Sequence, residues 1–313
     1  MKLEGIHHVT AITADAQGNV DFYAGVLGLR MVKKTVNQDN PTVYHLFYAD
    51  ENGDPGSDLT FFEYPGIPVG RAGDGMVHRI VWRVGSADAL EFWAARLGER
   101  EVQADRVDGR LRFADPEGLE HELAVAEVDD EPLTAEHPEI PAELALQGFD
   151  GVRAYASDPD RSAELLAATL AFAPRDQDQG GPSWEARGSR RGSIYAYDEP
   201  PAEAGVQGAG TVHHVAWASS VEELEAWRDR VVEAEMRPTP VIDRFYFRSV
   251  YFREPSGVLF ELATLGPGFT VDEPLESLGE KLSLPPFIEH MRDEIEAKVR
   301  PITNPRAGLS AKP

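Results

Sequence analysis

The chain of 313 residues contains no cysteine. Disulfides, thiolate nucleophiles, iron–sulfur clusters and thiolate zinc sites are therefore excluded. Any metal must be held by histidine and carboxylate, a donor set that suits iron, manganese, zinc or nickel. Lysine is scarce: Lys2, Lys33, Lys34, Lys281, Lys298 and Lys312 are the only ones. The 30 basic residues stand against 54 acidic ones, a formal net charge of −24. With no basic patch to neutralise phosphates, nucleic acid is not an expected partner. Such acidity suits a salt-rich interior, where ions screen self-repulsion; the alternative is ordinary acidity with a GC-rich genome favouring Arg over Lys. No apolar run reaches the length of about 18 residues that a membrane-spanning helix needs. Met1-Lys2-Leu3-Glu4-Gly5 lacks the apolar stretch of a secretory signal, so a cytoplasmic location is the expectation. The 42% hydrophobic content fits an ordinary globular protein, and the length suggests about two domains.

What the chain does have is repetition. Gly5-Ile6-His7-His8-Val9-Thr10-Ala11 returns as Thr211-Val212-His213-His214-Val215-Ala216-Trp217. Around each copy the pattern reads strand, helix, then further strands separated by Pro, Asn and Gly. In module 1 the helix is expected over Ala16–Leu27, with Gly28 closing it. The same order recurs twice more, with helices over Ala87–Leu97 and from Asp158-Pro159; the fourth copy has one over Val221–Ala234. The expected boundaries are residues 1–70, 75–128, 148–200 and 210–265 for modules 1 to 4. A surface linker covers 129–147, and a tail covers 266–313 with one helix at Phe287–Val299 and a loose end. Modules 2 and 4 also share a closing phrase. Asp115-Pro116-Glu117-Gly118-Leu119-Glu120-His121-Glu122 aligns with Glu254-Pro255-Ser256-Gly257-Val258-Leu259-Phe260-Glu261. The fold class expected is α+β, four βαβββ modules forming two barrels.

Strand side chains alternate faces, so His7 and His8 are expected to point opposite ways, as are His213 and His214. His8 and His214 hold equivalent places in their modules, and Glu261 lies on the last strand of module 4. Two histidines and a carboxylate on one side of a metal leave positions open for substrate and oxygen. Module 2 has Arg79 at the corresponding place and module 3 has Gly151. The metal therefore needs modules 1 and 4 to pair, leaving modules 2 and 3 metal-free. Glu122 keeps the terminal carboxylate without a histidine partner and reads as a relic or a surface residue.

The βαβββ repeat over roughly residues 5–265 resembles the vicinal oxygen chelate superfamily, which contains glyoxalase I and extradiol ring-cleaving dioxygenases. Several phrases are similar to its hydroquinone-cleaving branch, typified by 2,6-dichlorohydroquinone 1,2-dioxygenase. They are Leu3–Thr10, Ala16–Tyr23, Thr42–Glu51, Gly56–Thr60, Ser249–Arg253 and the stretch to Glu261. The resemblance implies an iron(II) site, with manganese(II) as the alternative, at His8, His214 and Glu261. It implies catalytic roles for His7, His213, Tyr251 and Arg244. Thr10 is expected to contact substrate, and Arg248 is a near alternative to Arg244. The implied activity cleaves a hydroquinone or related dihydroxylated aromatic with O2. Partners would be the aromatic substrate, O2 and, for the tail helix, either its own chain or a second copy.

Two other readings fit the same repeat. A glyoxalase-like isomerase or thiol transferase would add a fourth ligand, and Glu63 is the candidate. Counting from Gly56 by the Gly-to-Glu spacing of modules 2 and 4 lands on Thr60 instead, which favours three ligands. A metal-free ligand-sequestering protein has no need of matched histidines.

Overall fold

The computed structural model describes residues 1–178 and 181–306. Module 1 forms β1 (Ile6–Thr13), β2 (Arg30–Asn37), β3 (Asn40–Ala49) and β4 (Asp58–Glu63). Module 2 forms β5 (Val77–Val84), β6 (Ala104–Val107), β7 (Arg110–Ala114) and β8 (Glu120–Val125). Module 3 forms β9 (Phe149–Tyr155), β10 (Ala173–Asp178), β11 (Gly181–Arg187) and β12 (Gly192–Asp198). Module 4 forms β13 (Val212–Ser219), β14 (Ile242–Asp243), β15 (Phe247–Arg253) and β16 (Leu259–Pro267). One sheet runs β14-β15-β16-β13-β1-β4-β3-β2 and the other β10-β11-β12-β9-β5-β8-β7-β6. Modules 1 and 4 thus share a sheet, joined through the antiparallel pair β1–β13, while modules 2 and 3 build the other through β5–β9. Neither sheet closes into the expected barrel. Among the described residues no ladder joins β14 to β2, and a bridge from Lys34 to Leu282 of the tail occupies the β2 edge instead.

The pairing of the first strands is irregular at matched places. Ile6 faces Trp217 and His8 faces Ala216, so His7 is an extra residue in β1. Thr10 faces His214 and Ala11 faces Val212, which makes His213 the extra residue in β13. The second sheet has the same irregularity at His78 and Asp150. Each is a β-bulge, which leaves one residue unpaired and re-aims its neighbours. The residue just before each ligand position is therefore bulged in all four modules, and simple alternation fails there.

An α-helical turn α1 (Ala16–Val20) follows β1 and widens into a π-helical stretch over Asp21–Val26. Gly28 ends it with φ +73, and a Cβ there would meet Ile140 at 2.3 Å. Helix α2 (Ala87–Glu99) starts at Ser86, whose hydroxyl accepts the Ala89 N–H at 3.2 Å. Module 3 has α3 (Asp160–Glu164), again running into a π-helical stretch, and module 4 has α4 (Leu224–Glu233). Strand β10 has no counterpart in the sequence reading, because its exposed Arg175-Asp176 lacks apolar alternation.

The two halves are tied by buried polar chains as well as apolar contact. The Trp82 indole donates to His121 Nδ1 at 3.1 Å, leaving His121 Nε2 to donate to the Tyr23 hydroxyl at 3.0 Å. Tyr23 donates in turn to Asp115 at 2.8 Å. The mirror arrangement has Tyr197 donating to Glu254 at 2.9 Å, with Ser162 on the same carboxylate. Both partner carboxylates come from the shared closing phrase of modules 2 and 4.

The tail is mostly irregular. The expected helix Phe287–Val299 shrinks to α5 (Arg292–Glu296) after a short turn at Glu289–Met291. Leu284, Ile288 and Ile295 pack on Val36 of β2, so their spacing reflects docking of a winding segment. Buried Lys33 anchors the tail through Asp272 at 2.7 Å and through Glu273. The expected loose end beyond residue 306 lies outside the described residues. No helix among those described is long and apolar enough to cross a membrane.

Candidate metal centre

His8 on β1, His214 on β13 and Glu261 on β16 come from three adjacent strands of the first sheet. Their donor atoms form a tight triangle. His8 Nε2 lies 3.2 Å from His214 Nε2, and Glu261 Oε2 lies 3.1 Å from the first and 2.9 Å from the second. Among the described residues this is the one group of three such side chains able to share an ion. All three are buried, and Glu261 has no exposure.

The bulges decide how the doubled histidines are used. His7 Nε2 meets the Thr264 carbonyl at 3.1 Å, and a carbonyl only accepts, so this nitrogen carries the proton. A neutral His7 then has a bare Nδ1, 3.0 Å from His8 Nδ1, which must donate to it. That leaves His8 Nε2 as a lone pair aimed at Glu261. Burial, followed by the nearby His8, pulls the His7 ring down to about 3, which fixes the neutral form. His213 stands in the same relation to His214, with the two Nδ1 atoms 2.8 Å apart. Both pairs therefore meet through their rings, against the expectation that they diverge.

These features fit a divalent cation. A carboxylate oxygen and a bare imidazole nitrogen in contact repel unless positive charge lies between them. Neither Glu261 oxygen accepts a hydrogen bond from the chain. Buried and without a donor from the chain, the Glu261 carboxylate has a charge that a cation held between the three atoms would offset. The remaining sides of the triangle open to a small cavity of about 50 Å³.

Strand alternation supplies the cavity wall. Thr10 follows His8 on β1, and its hydroxyl lies 2.9 Å from that of Thr60 on β4. His45 and Phe47 enter from β3, and Phe247 and Tyr251 from β15. Burial, with Glu261 next, pushes the Tyr251 phenol well up, so it keeps its proton. Arg244 sits 5.5 Å from the Tyr251 ring centre and is held by Asp39 at 3.2 and 3.0 Å. Phe245 beside it has φ +69, a left-handed turn conformation that presents Arg244 inward.

Other expected residues lie elsewhere. Arg248 is outside the cavity: it alternates with the inward Phe247 and Ser249 and reaches Glu225 of α4 at 3.6 Å. His213 opens to a separate cavity with Arg253 on the far side of His214. Glu63 turns to α1, accepting the Ala16 N–H at 3.3 Å, and is not among the clustered ligands. Thr60 faces Thr10 as Glu261 faces Ala216, so it is the counterpart of Glu261 in module 1. His45, Phe47 and Phe247 received no role from sequence reasoning, whereas Thr60 was reached by the Gly-to-Glu spacing counted from Gly56. Their signal is period-two spacing, which needs the register between strands before it points anywhere.

The second sheet holds the same positions differently. Arg79 and Glu122 occupy the places of His8 and Glu261. Glu122 has no exposure, against its reading as a relic or surface residue. It receives Arg79 at 3.3 Å, Arg110 at 2.7 Å and Arg112 at 2.6 Å.

A family model described as the Glyoxalase/Bleomycin resistance protein/Dioxygenase superfamily matches residues 5–123 and 148–262. The chain belongs to this superfamily. It is 41% identical over 320 residues to the Bacillus subtilis "Putative ring-cleaving dioxygenase MhqA", covering 96% of this chain and 100% of that one. It is 31% identical over 309 residues to the Sphingobium indicum "Chlorohydroquinone/hydroquinone 1,2-dioxygenase", covering 94% and 95%. A Bacillus subtilis crystal structure given as a "putative dioxygenase" is 38% identical, with TM-score 0.90 over 97% of this chain and 98% of that one. Such similarity over nearly the whole length marks the chain as an oxygenase-type enzyme.

Proposed function

We propose that the protein is a metal-dependent, extradiol-type dioxygenase that opens a hydroquinone or related dihydroxylated aromatic with O2. The observation that carries this reading is the placement of three ligand atoms on one side of a cavity walled by aromatic rings. The similarity to a chlorohydroquinone/hydroquinone 1,2-dioxygenase supports the choice of ring. His8, His214 and Glu261 would hold iron(II), with manganese(II) the second choice for the same donors. Such an ion supplies a common binding point for ring oxygen and O2 and offsets developing negative charge.

The chain's own groups have separate tasks. His7 and His213 orient the two ligand rings through their Nδ1 atoms. Phe47, Phe62 and Phe247 exclude water from the faces of the bound ring. Tyr251, kept protonated, offers a hydroxyl to an oxygen of the substrate. Arg244 contributes a fixed positive charge, steadied by Asp39. Thr10, beside His8, offers a hydroxyl to the same ring. A four-ligand isomerase site is disfavoured by Thr60 in the place where that ligand would stand.

Anaerobic loading with Fe(II), followed by O2 uptake with hydroquinones and with catechols, tests the proposal. Stoichiometric O2 consumption and a ring-opened acid are expected. No uptake with any such ring would overturn it.

A further inference from the structure

The cavity contains a polar row that leads away from the metal ligands. Sheet order places β4 and then β3 beyond β1; His45 pairs with Phe62, and Phe62 with Ile12, so His45 stands two strands across from β1 and, along it, level with Ile12 rather than His8. The row starts at Thr10, passes to the Thr60 hydroxyl at 2.9 Å and reaches His45 Nε2 at a further 2.9 Å. Phe47 and Phe62 flank the His45 ring, with centroids at 4.0 and 4.4 Å. Its other nitrogen, Nδ1, has no partner in the described structure, and the side chain is half-buried at the cavity wall. Arg244, the other strong polar group there, is already engaged by Asp39.

A ring tied to a metal by one hydroxyl puts a second, ortho hydroxyl back at the metal. A para hydroxyl instead lies a full ring width away. Only the para diol therefore calls for a hydrogen-bonding group on a remote wall. The row suits that task because two hydroxyls and an imidazole can run in either direction. With Nε2–H donating to Thr60, the free Nδ1 accepts a hydroxyl proton. With the hydroxyls reversed, Nδ1–H donates. Burial, and the His8, His214 and Arg244 side chains around it, keep the ring neutral, which permits both directions.

We propose that His45, backed by Thr60 and Thr10, binds the distal hydroxyl of a para-dihydroxybenzene and so sets preference for hydroquinones over catechols and monophenols. This rests on the dioxygenase reading above for the ring class, and it adds a specificity residue to that reading.

The test is anaerobic binding to the Fe(II)-loaded full chain, followed by calorimetry, with hydroquinone, catechol and phenol as probes. Wild type should favour hydroquinone over phenol. His45→Phe keeps a flat ring between Phe47 and Phe62 but removes both nitrogens, and should lower that ratio roughly 10-fold or more, since a buried group loses its partner. Phenol affinity and iron content should stay as in wild type. Thr60→Val, which leaves the imidazole in place but unsupported, should lower the ratio by a smaller factor and serves if His45→Phe fails to fold. An unchanged ratio in an iron-replete variant overturns the proposal, as does a wild type that binds phenol as tightly as hydroquinone. Because binding is read without O2, the result stands apart from turnover: a wild type that consumes no O2 counts against the dioxygenase reading alone.

Discussion

The two sheets carry the same plan with opposite solutions to one electrostatic problem. Each buries a carboxylate on its last strand opposite a bulged first strand, Glu261 in one and Glu122 in the other. In the first sheet the facing groups are neutral imidazoles, which neutralise nothing, so the site needs an external cation. In the second, Arg79, Arg110 and Arg112 bring the positive charge from within the chain. A metal site thus differs from a structural ion-pair cluster by the charge of its nearest neighbours, more than by the carboxylate itself.

Removing a ligand should break the comparison most severely. His214→Ala or Glu261→Gln should lower bound iron from about one per chain to near zero and abolish O2 uptake, while circular dichroism stays native; metal analysis checks it. Full iron retention would refute the ligand set. The matching change in the other half, Glu122→Gln, should leave iron content alone. It should cost about 3–5 kcal/mol in denaturant unfolding, because three guanidiniums lose their buried counter-charge. His7→Phe falls between the halves in kind: the fold persists, and iron affinity drops roughly 10- to 100-fold in competition with a chelator.

Acid should sharpen the contrast further. Burial, the largest influence on His121, holds its ring down to about 3, against the usual value near 6.5. A histidine depressed in the folded state takes up its proton on unfolding, so stability is full above about 6.5 and falls as pH drops towards 3. Unfolding free energy measured from pH 7 to pH 5 should decline, and less so in His121→Gln; identical slopes would count against the assignment. The smallest effect concerns salt. With a net charge of −24, the melting temperature should rise by a few degrees between dilute and molar KCl as repulsion is screened.

The repeat, the pairing of first and last modules, and the residues that cluster as His8, His214 and Glu261 were legible because they are marked by residue type at matched positions. Arg79 and Gly151, by lacking histidine, pointed to which modules pair. The direction of His7 and His213 was not legible, since a bulge changes direction without changing composition. His-His looks like plain alternation until the partner strand shows two residues opposite one. The meeting of His45 with Thr60 was hidden for a related reason: it depends on the register of β3 on β4. Arg248 and Arg244 were indistinguishable by spacing, and only the alternation of Phe247, Ser249 and Tyr251 separates them. The tail was read as one helix over Phe287–Val299, yet only Arg292–Glu296 is α-helical, because Ile288 and Ile295 are placed by docking on Val36.

The pairing of β1 with β13 also sets an order of events during synthesis. His8 leaves the ribosome 206 residues ahead of His214, and Glu261 follows later still. In the interval modules 2 and 3, contiguous in the chain, are free to fold around their internal arginines without any ion. The three clustered side chains converge last, so a product stalled before Glu261 lacks the triad.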